Sequence, residues 1–236
     1  MIIEYHRPGT LDVALNLLSR KSPKTVALGG GTVLSRHTEG EIAVVDLQDL
    51  PIKQIELQAG EFVIGAAVTL QALIESAPIP AAIAEAAKLE TNFNLRQVAT
   101  IAGALISSNG RSPLTTVLLA MDSSLTWLPG EKTMPLEKWL VARKNASHSL
   151  LTQVRIPSVV GVYASFVGRT PADVPLVGVS VCRWQTGRTR ITVCGFGETP
   201  MVWFDGPGVS GIEAAIEAVR SQIPTSEISN YKLATA

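Results

Sequence analysis

Two glycine-centred stretches have the composition to hold a phosphate. The first is Leu28-Gly29-Gly30-Gly31-Thr32-Val33-Leu34; the second is Thr100-Ile101-Ala102-Gly103-Ala104, running on to Ser107-Ser108-Asn109-Gly110. Each follows an apolar, β-like run and precedes a helix-like one. Helix starts leave backbone N–H groups unpaired and carry positive dipole character, so an anion is favoured there. A missing Cβ lets the backbone approach a ligand closely and adopt positive φ. Glycines that merely turn the chain explain either loop alone. The pair points to a dinucleotide held between two lobes.

Other chemistry-bearing residues form no constellation. Cys182 and Cys194 sit in β-like runs at 177–184 and 189–196, open to a redox or metal reading. The absence of a CxxC spacing and the scatter of His6, His37 and His148 favour two small buried residues instead. A Rossmann fingerprint would take Asp46, at the end of the next strand, as a ribose ligand. It requires glycine or alanine where Leu34 stands, and a crossover helix where Arg36-His37-Thr38-Glu39-Gly40 is short, polar and glycine-broken. A Walker A loop is excluded, because no glycine-lysine-serine/threonine follows.

The elements that must position the loops can be read from periodicity. Leu11, Ala14, Leu15 and Leu18 recur at helical spacing behind Thr10, and strands are predicted at 25–28 and 43–47, which gives a small βαββ lobe over 1–51. Strands at 52–57 and 62–66 flank the hairpin signature Gln58-Ala59-Gly60-Glu61. Helices follow at 69–76, 81–89 and 113–121, the last with proline in its first turn, then a helix at 136–142 and strands at 125–128 and 151–156. These make a second lobe over 52–157. Strands at 163–168, 177–184 and 189–194, with a helix at 212–222, make a third unit over 158–236.

Composition sets the outer bounds. The chain has 236 residues, 46% apolar and 17% charged, as an ordinary globular protein does. Twenty basic and twenty acidic residues cancel, so no global field favours nucleic acid or an anionic membrane. No apolar run approaches the roughly 20 residues needed for a membrane span, and Met1-Ile2-Ile3-Glu4-Tyr5 lacks a signal-peptide plan. A cytoplasmic location is expected.

An ordered series of motifs narrows the reading. Tyr5-His6-Arg7-Pro8, Ala27-Leu28-Gly29-Gly30-Gly31-Thr32, Val45-Asp46-Leu47, Ile64-Gly65-Ala66-Ala67-Val68-Thr69-Leu70, Arg96-Gln97-Val98-Ala99-Thr100-Ile101-Ala102-Gly103 and Leu118-Leu119-Ala120-Met121-Asp122 occur in that order. From end to end the chain resembles the medium, FAD-binding subunit of molybdenum hydroxylases, such as the flavoprotein subunits of carbon monoxide and xanthine dehydrogenases. The resemblance implies an α+β fold of two FAD-binding lobes, of the PCMH or vanillyl-alcohol-oxidase-like type, followed by a small C-terminal unit with an antiparallel sheet. It also implies that Leu28, Gly29, Gly30, Gly31, Thr32 and Val33 cradle the FAD pyrophosphate. Thr100, Ile101 and Gly103 would run beside the pyrophosphate and ribityl chain, and Leu176 would neighbour the flavin. No catalytic side chain and no metal ligand is implied. The implied partners are an iron–sulfur subunit and a molybdenum-cofactor subunit, with electrons passing from the clusters through the flavin to NAD⁺, a quinone or oxygen.

The chain departs from that pattern at defined places. Ala102 stands where relatives have the first of two glycines, Ala104 where they have asparagine, Gly110 at a proline and Pro113 at an aspartate. No lysine occurs in Ser165-Phe166-Val167-Gly168-Arg169, and the chain stops after Tyr231-Lys232-Leu233-Ala234-Thr235-Ala236, where relatives continue into a final helix. Three lost contacts at about 1 kcal/mol each would weaken FAD binding by roughly two orders of magnitude. The alternative expectation is a degenerate homologue with weak or no FAD binding that serves as a structural subunit.

Overall fold

The structure, a computed structural model, describes residues 1–34, 40–143, 149–159, 161–170 and 173–207. The expected helix at 212–222, the C-terminal Tyr231–Ala236 segment, His37 and His148 lie outside the described residues.

β1 (Ile2–His6) and α1 (Leu11–Leu18) lead to β2 (Thr25–Leu28) and β3 (Ile42–Asp46). The three strands form a sheet of order β1-β3-β2, with β3 parallel to both neighbours. Every residue of β3 is buried, as a central parallel strand requires, whereas β2 is an edge strand that runs directly into Gly29. α1 closes one side by burying Ala14 and Leu18, although the Thr10 hydroxyl makes no cap bond.

The next sheet is antiparallel, with order β4-β5-β8-β6-β7, built from β4 (Ile55–Gln58), β5 (Glu61–Gly65), β6 (Ser124–Leu128), β7 (Lys132–Pro135) and β8 (Leu150–Pro157). Its first hairpin turns at Ala59 and Gly60, both at positive φ (48° and 83°), the conformation of a two-residue hairpin loop. Helices α2 (Leu70–Glu75), α3 (Ala81–Glu90), α4 (Phe93–Arg96), α5 (Ile101–Ile106), α6 (Pro113–Ala120) and α7 (Leu136–Ala142) complete this part. The third sheet is antiparallel too: β9 (Gly161–Val167), β10 (Val177–Arg183), β11 (Arg188–Cys194) and β12 (Met201–Pro207), in the order β12-β11-β10-β9.

α6 is buried along all eight residues and packs on α3, β10 and β11. It is apolar nearly all round because α3, α5 and α7 and the strands of the third sheet cover it. Its polar exceptions are satisfied: the Thr116 hydroxyl donates to the Ser112 carbonyl at 2.7 Å, and the Thr115 hydroxyl is hydrogen-bonded to the Ser112 hydroxyl at 2.8 Å. Cys182 and Cys194 lie on neighbouring strands but out of register, opposite Arg190 and Gly178 respectively. Burial pushes their thiols up to about 12 and about 11, so both remain protonated, unreactive core residues. Among the described residues, no helix is long and apolar enough to cross a membrane.

Glu90, at the end of α3, reaches the start of α6. Its carboxylate accepts from the Leu114 N–H at 3.1 Å and from the Ser112 hydroxyl at 2.9 and 3.0 Å. Burial nevertheless pushes the carboxyl up to about 7, with those two donors pulling the other way. A carboxyl raised on folding stabilises fully below its unfolded pKa, and that stability is lost as pH rises through 7. Glu90→Gln keeps an acceptor oxygen and removes the charge. It is expected to raise the thermal midpoint at pH 8 by about 4–8 °C, equivalent to about 2 kcal/mol, and to change it little at pH 4.5. Equal shifts at the two pH values in parallel melts would contradict this account.

Candidate functional site

β2 and the start of α5 meet at the two glycine stretches. A Cβ on Gly30 would lie 1.8 Å from the Val98 carbonyl oxygen, and one on Gly29 would lie 2.7 Å from the Thr100 Oγ1. The loops therefore touch backbone to backbone, an approach that only glycine permits here. Gly31 takes positive φ (69°) and turns the chain into Thr32–Leu34, which form a turn. The expected helix does not begin there within the described residues.

A cavity of about 820 Å³ opens along the free edge of β2 and over both loops. Its size lies in the roughly 300–1,000 Å³ range of small-molecule and cofactor pockets. Of the residues expected at the site, Gly29, Gly30, Gly31, Thr32, Val33, Thr100 and Gly103 border it. Leu28, Ile101 and Leu176 do not. Leu28 ends β2, with its carbonyl accepting from the Leu47 N–H, and Ile101 is wholly buried in the core. Leu176 sits at the β9–β10 turn, its N–H donating to the Val167 carbonyl at 2.8 Å.

The two loops differ in what they offer. In the second, the Ile101 N–H donates to Val68, the Ala102 N–H to Ala66 and the Gly103 N–H to the Thr100 hydroxyl, at 2.9, 3.2 and 3.1 Å. The backbone donors expected of that helix start are spent inside the protein. The first loop is the reverse case. Among the described residues, the N–H groups of Gly29, Gly30, Thr32 and Val33 donate to no protein acceptor. Free donors on a glycine-tight turn make a cradle for an anion.

Charge on the cavity wall agrees. Arg20, Lys21, Lys24 and Arg143 border it, and among the described residues no carboxylate does. Arg20 is tied to Glu4 at 2.8 Å, and its guanidinium, together with His6, holds the Glu4 carboxyl down at about 2. Asp46 is committed elsewhere, accepting from the Tyr5 hydroxyl and the Gln48 N–H, so it offers no ribose contact in the Rossmann manner. Trp127 and Trp139 stack at the other end, with ring centroids 5.8 Å apart. Sequence reasoning missed Arg20, Lys21, Lys24, Trp127, Trp139 and Arg143. The basic run Arg20-Lys21-Ser22-Pro23-Lys24 ahead of β2 was the visible signal for three of them. Of the substituted positions Ala102, Ala104 and Pro113, the first borders the cavity, whereas Ala104 packs on the core and Pro113 is buried at the first turn of α6.

Residues 1–159 match a family model described as the FAD binding domain in molybdopterin dehydrogenase. The chain is 31% identical over 199 residues to the uncharacterized protein YgfM of Escherichia coli (strain K12), across 83% of this chain and 75% of that protein. It is 28% identical over 193 residues to the 6-hydroxypseudooxynicotine dehydrogenase complex subunit alpha of Paenarthrobacter nicotinovorans, across 76% of this chain and 54% of that subunit. Among solved structures, a chain of the Cu,Mo-CO dehydrogenase in its cyanide-inactivated form superposes with a TM-score of 0.80. That match covers 93% of this chain and 86% of the other at 21% identity, a likeness of fold.

Proposed function

We propose, for a chain that belongs to the family of FAD-binding domains in molybdopterin dehydrogenases, that it binds FAD and serves as the electron-transfer subunit of a cytoplasmic oxidoreductase complex. The observation that carries this reading is the cradle at Gly29, Gly30, Thr32 and Val33, whose unspent backbone donors open into a cavity walled by four cations. A pyrophosphate needs that combination: directed N–H groups, close backbone approach and a positive field. When bound, the flavin supplies the redox chemistry, and the protein binds, orients and shields it. The lack of an acid–base or nucleophilic constellation among the described residues is compatible with such a role. In the proposed division of labour, residues 1–51 and 52–157 grip the cofactor from two sides and residues 158–236 close the flavin end. Partner iron–sulfur and molybdenum-cofactor subunits would deliver the electrons.

A second reading, a structural subunit that retains the fold with little flavin, is favoured by the spent donors of the second loop. Purification with added FAD separates the two. The expected result is a yellow protein holding stoichiometric flavin, with an affinity that falls as salt rises, because charge on the cavity wall supplies part of the binding. No binding at high micromolar FAD would overturn the first reading, and stoichiometric flavin the second.

A further inference from the structure

We propose that Arg143, with Trp127 and Trp139, forms the pocket for a planar, acceptor-edged ring of the dinucleotide; this rests on the FAD reading above. Three observations converge on that end of the cavity. The first is position. The glycine cradle abuts Val98–Thr100 at the start of α5, whereas Arg143 is bonded to Ser108, just beyond its end. Six helical residues at about 1.5 Å each separate the two points by roughly 9 Å, so a diphosphate seated on the glycines leaves a ring, and not a phosphate, to meet Arg143.

The second observation is the wall. Trp127 and Trp139 are inclined at 28° and both border the cavity. A heterocycle finds there an aromatic surface of its own shape and polarity. The third is the state of the guanidinium. Arg188 and Arg190 each pair with two or more carboxylates, and Arg20 pairs with Glu4. Arg143 instead donates to neutral oxygens: the Ser108 carbonyl at 2.7 Å, the Ser108 hydroxyl at 3.2 Å and the Glu198 carbonyl at 3.4 Å. Its charge is fixed in place by three bonds yet met by no carboxylate among the described residues. Among the described residues the Nε–H and one further N–H donate to no acceptor, a planar pair of donors suited to a ring edge of carbonyl and nitrogen acceptors.

The test titrates wild type and Arg143→Gln with three probes, FAD, riboflavin and ADP, following tryptophan fluorescence. Trp127→Phe serves as the locating variant and thermal melts run in parallel. The flavin and adenine rings share the required chemistry, and the two half-ligands distinguish them. Arg143→Gln is expected to weaken FAD and one half-ligand by about 10–100-fold while leaving the other within a few-fold. Arg143→Lys is expected not to restore the loss, and Trp127→Phe to reduce the quenching caused by that same half-ligand. An unchanged affinity for all three probes, or an equal loss for all three, overturns the proposal. Wild type that binds FAD with Arg143→Gln indifferent rejects this pocket alone. Wild type that rejects FAD yet binds one half-ligand through Arg143 keeps the pocket and rejects the FAD reading, and wild type that binds no probe rejects both.

Discussion

Gly30→Ala is expected to abolish FAD binding, lowering affinity by more than about 100-fold, whereas Gly9→Ala is expected to change nothing measurable. The added Cβ at position 30 would lie 1.8 Å from the Val98 carbonyl oxygen, 2.3 Å from its carbon and 2.9 Å from the Ala99 nitrogen. All three are backbone atoms. They are held by the Leu70 N–H to Ala99 carbonyl bond and by the cap at Thr100, so no side chain can swing away to make room. The loop must lift off the second loop instead, carrying the free N–H groups of Gly29, Thr32 and Val33 out of register with the phosphates. A misplacement of about 1 Å removes most of a directed hydrogen bond.

The neighbouring glycines set the scale of that effect. Gly29→Ala meets the Thr100 hydroxyl, a side chain that can rotate, but rotation releases the Gly103 N–H and costs about 1 kcal/mol as a lost helix cap. Gly31→Ala meets no clash, since its nearest atom is 3.5 Å away, but pays for φ of +69° with about 1–2 kcal/mol of strain. At Gly9 there is open space. The expected order of FAD affinity is therefore Gly9→Ala, then Gly29→Ala and Gly31→Ala together, then Gly30→Ala far below. Flavin titration of the four variants reads it directly. Gly30→Ala binding within a few-fold of wild type would show that the loop contact plays no part in shaping the cradle.

What could be read from sequence followed from periodicity and turn chemistry. α1, β2, the β4–β5 hairpin, α3, α6 and the strands β8, β9, β10 and β11 each announce themselves by apolar spacing or by punctuating residues. β7 does not, because all four of its residues are exposed on a sheet edge and so carry no alternation. β12 was likewise passed over: its residues 202–204 are all half-buried, without the in-and-out contrast of a strand with one buried face. At the site, the glycines were legible as types, but their function was not divided correctly. Sequence gives both loops the same helix-start donors. Whether an N–H is free depends on what lies opposite it, and for the second loop that is Val68 and Ala66, far enough away in sequence that no local rule connects them. Trp127, Trp139 and Arg143 were invisible for the same reason. Each belongs to an ordinary strand, helix or helix end, and only the stacking of Trp139 on Trp127 and the bond from Arg143 to Ser108 bring them to the cavity.

Arg190→Ala is expected to cost about 3–5 kcal/mol, a fall of roughly 6–20 °C in thermal midpoint, while Glu137→Ala should cost less than about 1 kcal/mol. The Arg190 side chain is only 7% exposed and donates to Asp205, to Asp122 and to the Leu119 carbonyl at the end of α6, with a longer 3.4 Å contact to the half-exposed Glu137. Arg188 spans the same two aspartates and stacks on Trp184. Removing Arg190 leaves the part-exposed Asp122 and Asp205 sharing the Arg188 guanidinium, and it strips out a buried side chain that donates to both and to the Leu119 carbonyl. High salt should imitate the substitution only in part, since the Arg190 guanidinium is buried while its two aspartates are part-exposed and partly screened. Acid should imitate it. Hydrogen bonding from Arg188, reinforced by Arg190, holds the Asp205 carboxyl at about 2. A depressed carboxyl stabilises above its unfolded pKa, and that stability is lost as pH falls toward 2. Arg190→Ala should therefore flatten the stability profile below pH 4. The network clamps β11 and β12 to one end of α6, while the Gly195 N–H to Gly110 carbonyl bond seats the same sheet near the other. Flavin affinity is expected to fall far less than stability in Arg190→Ala, because the second contact still holds Ser108 and Glu198 where Arg143 joins them. A parallel collapse of both quantities would mean that the C-terminal sheet docks as a single all-or-none unit.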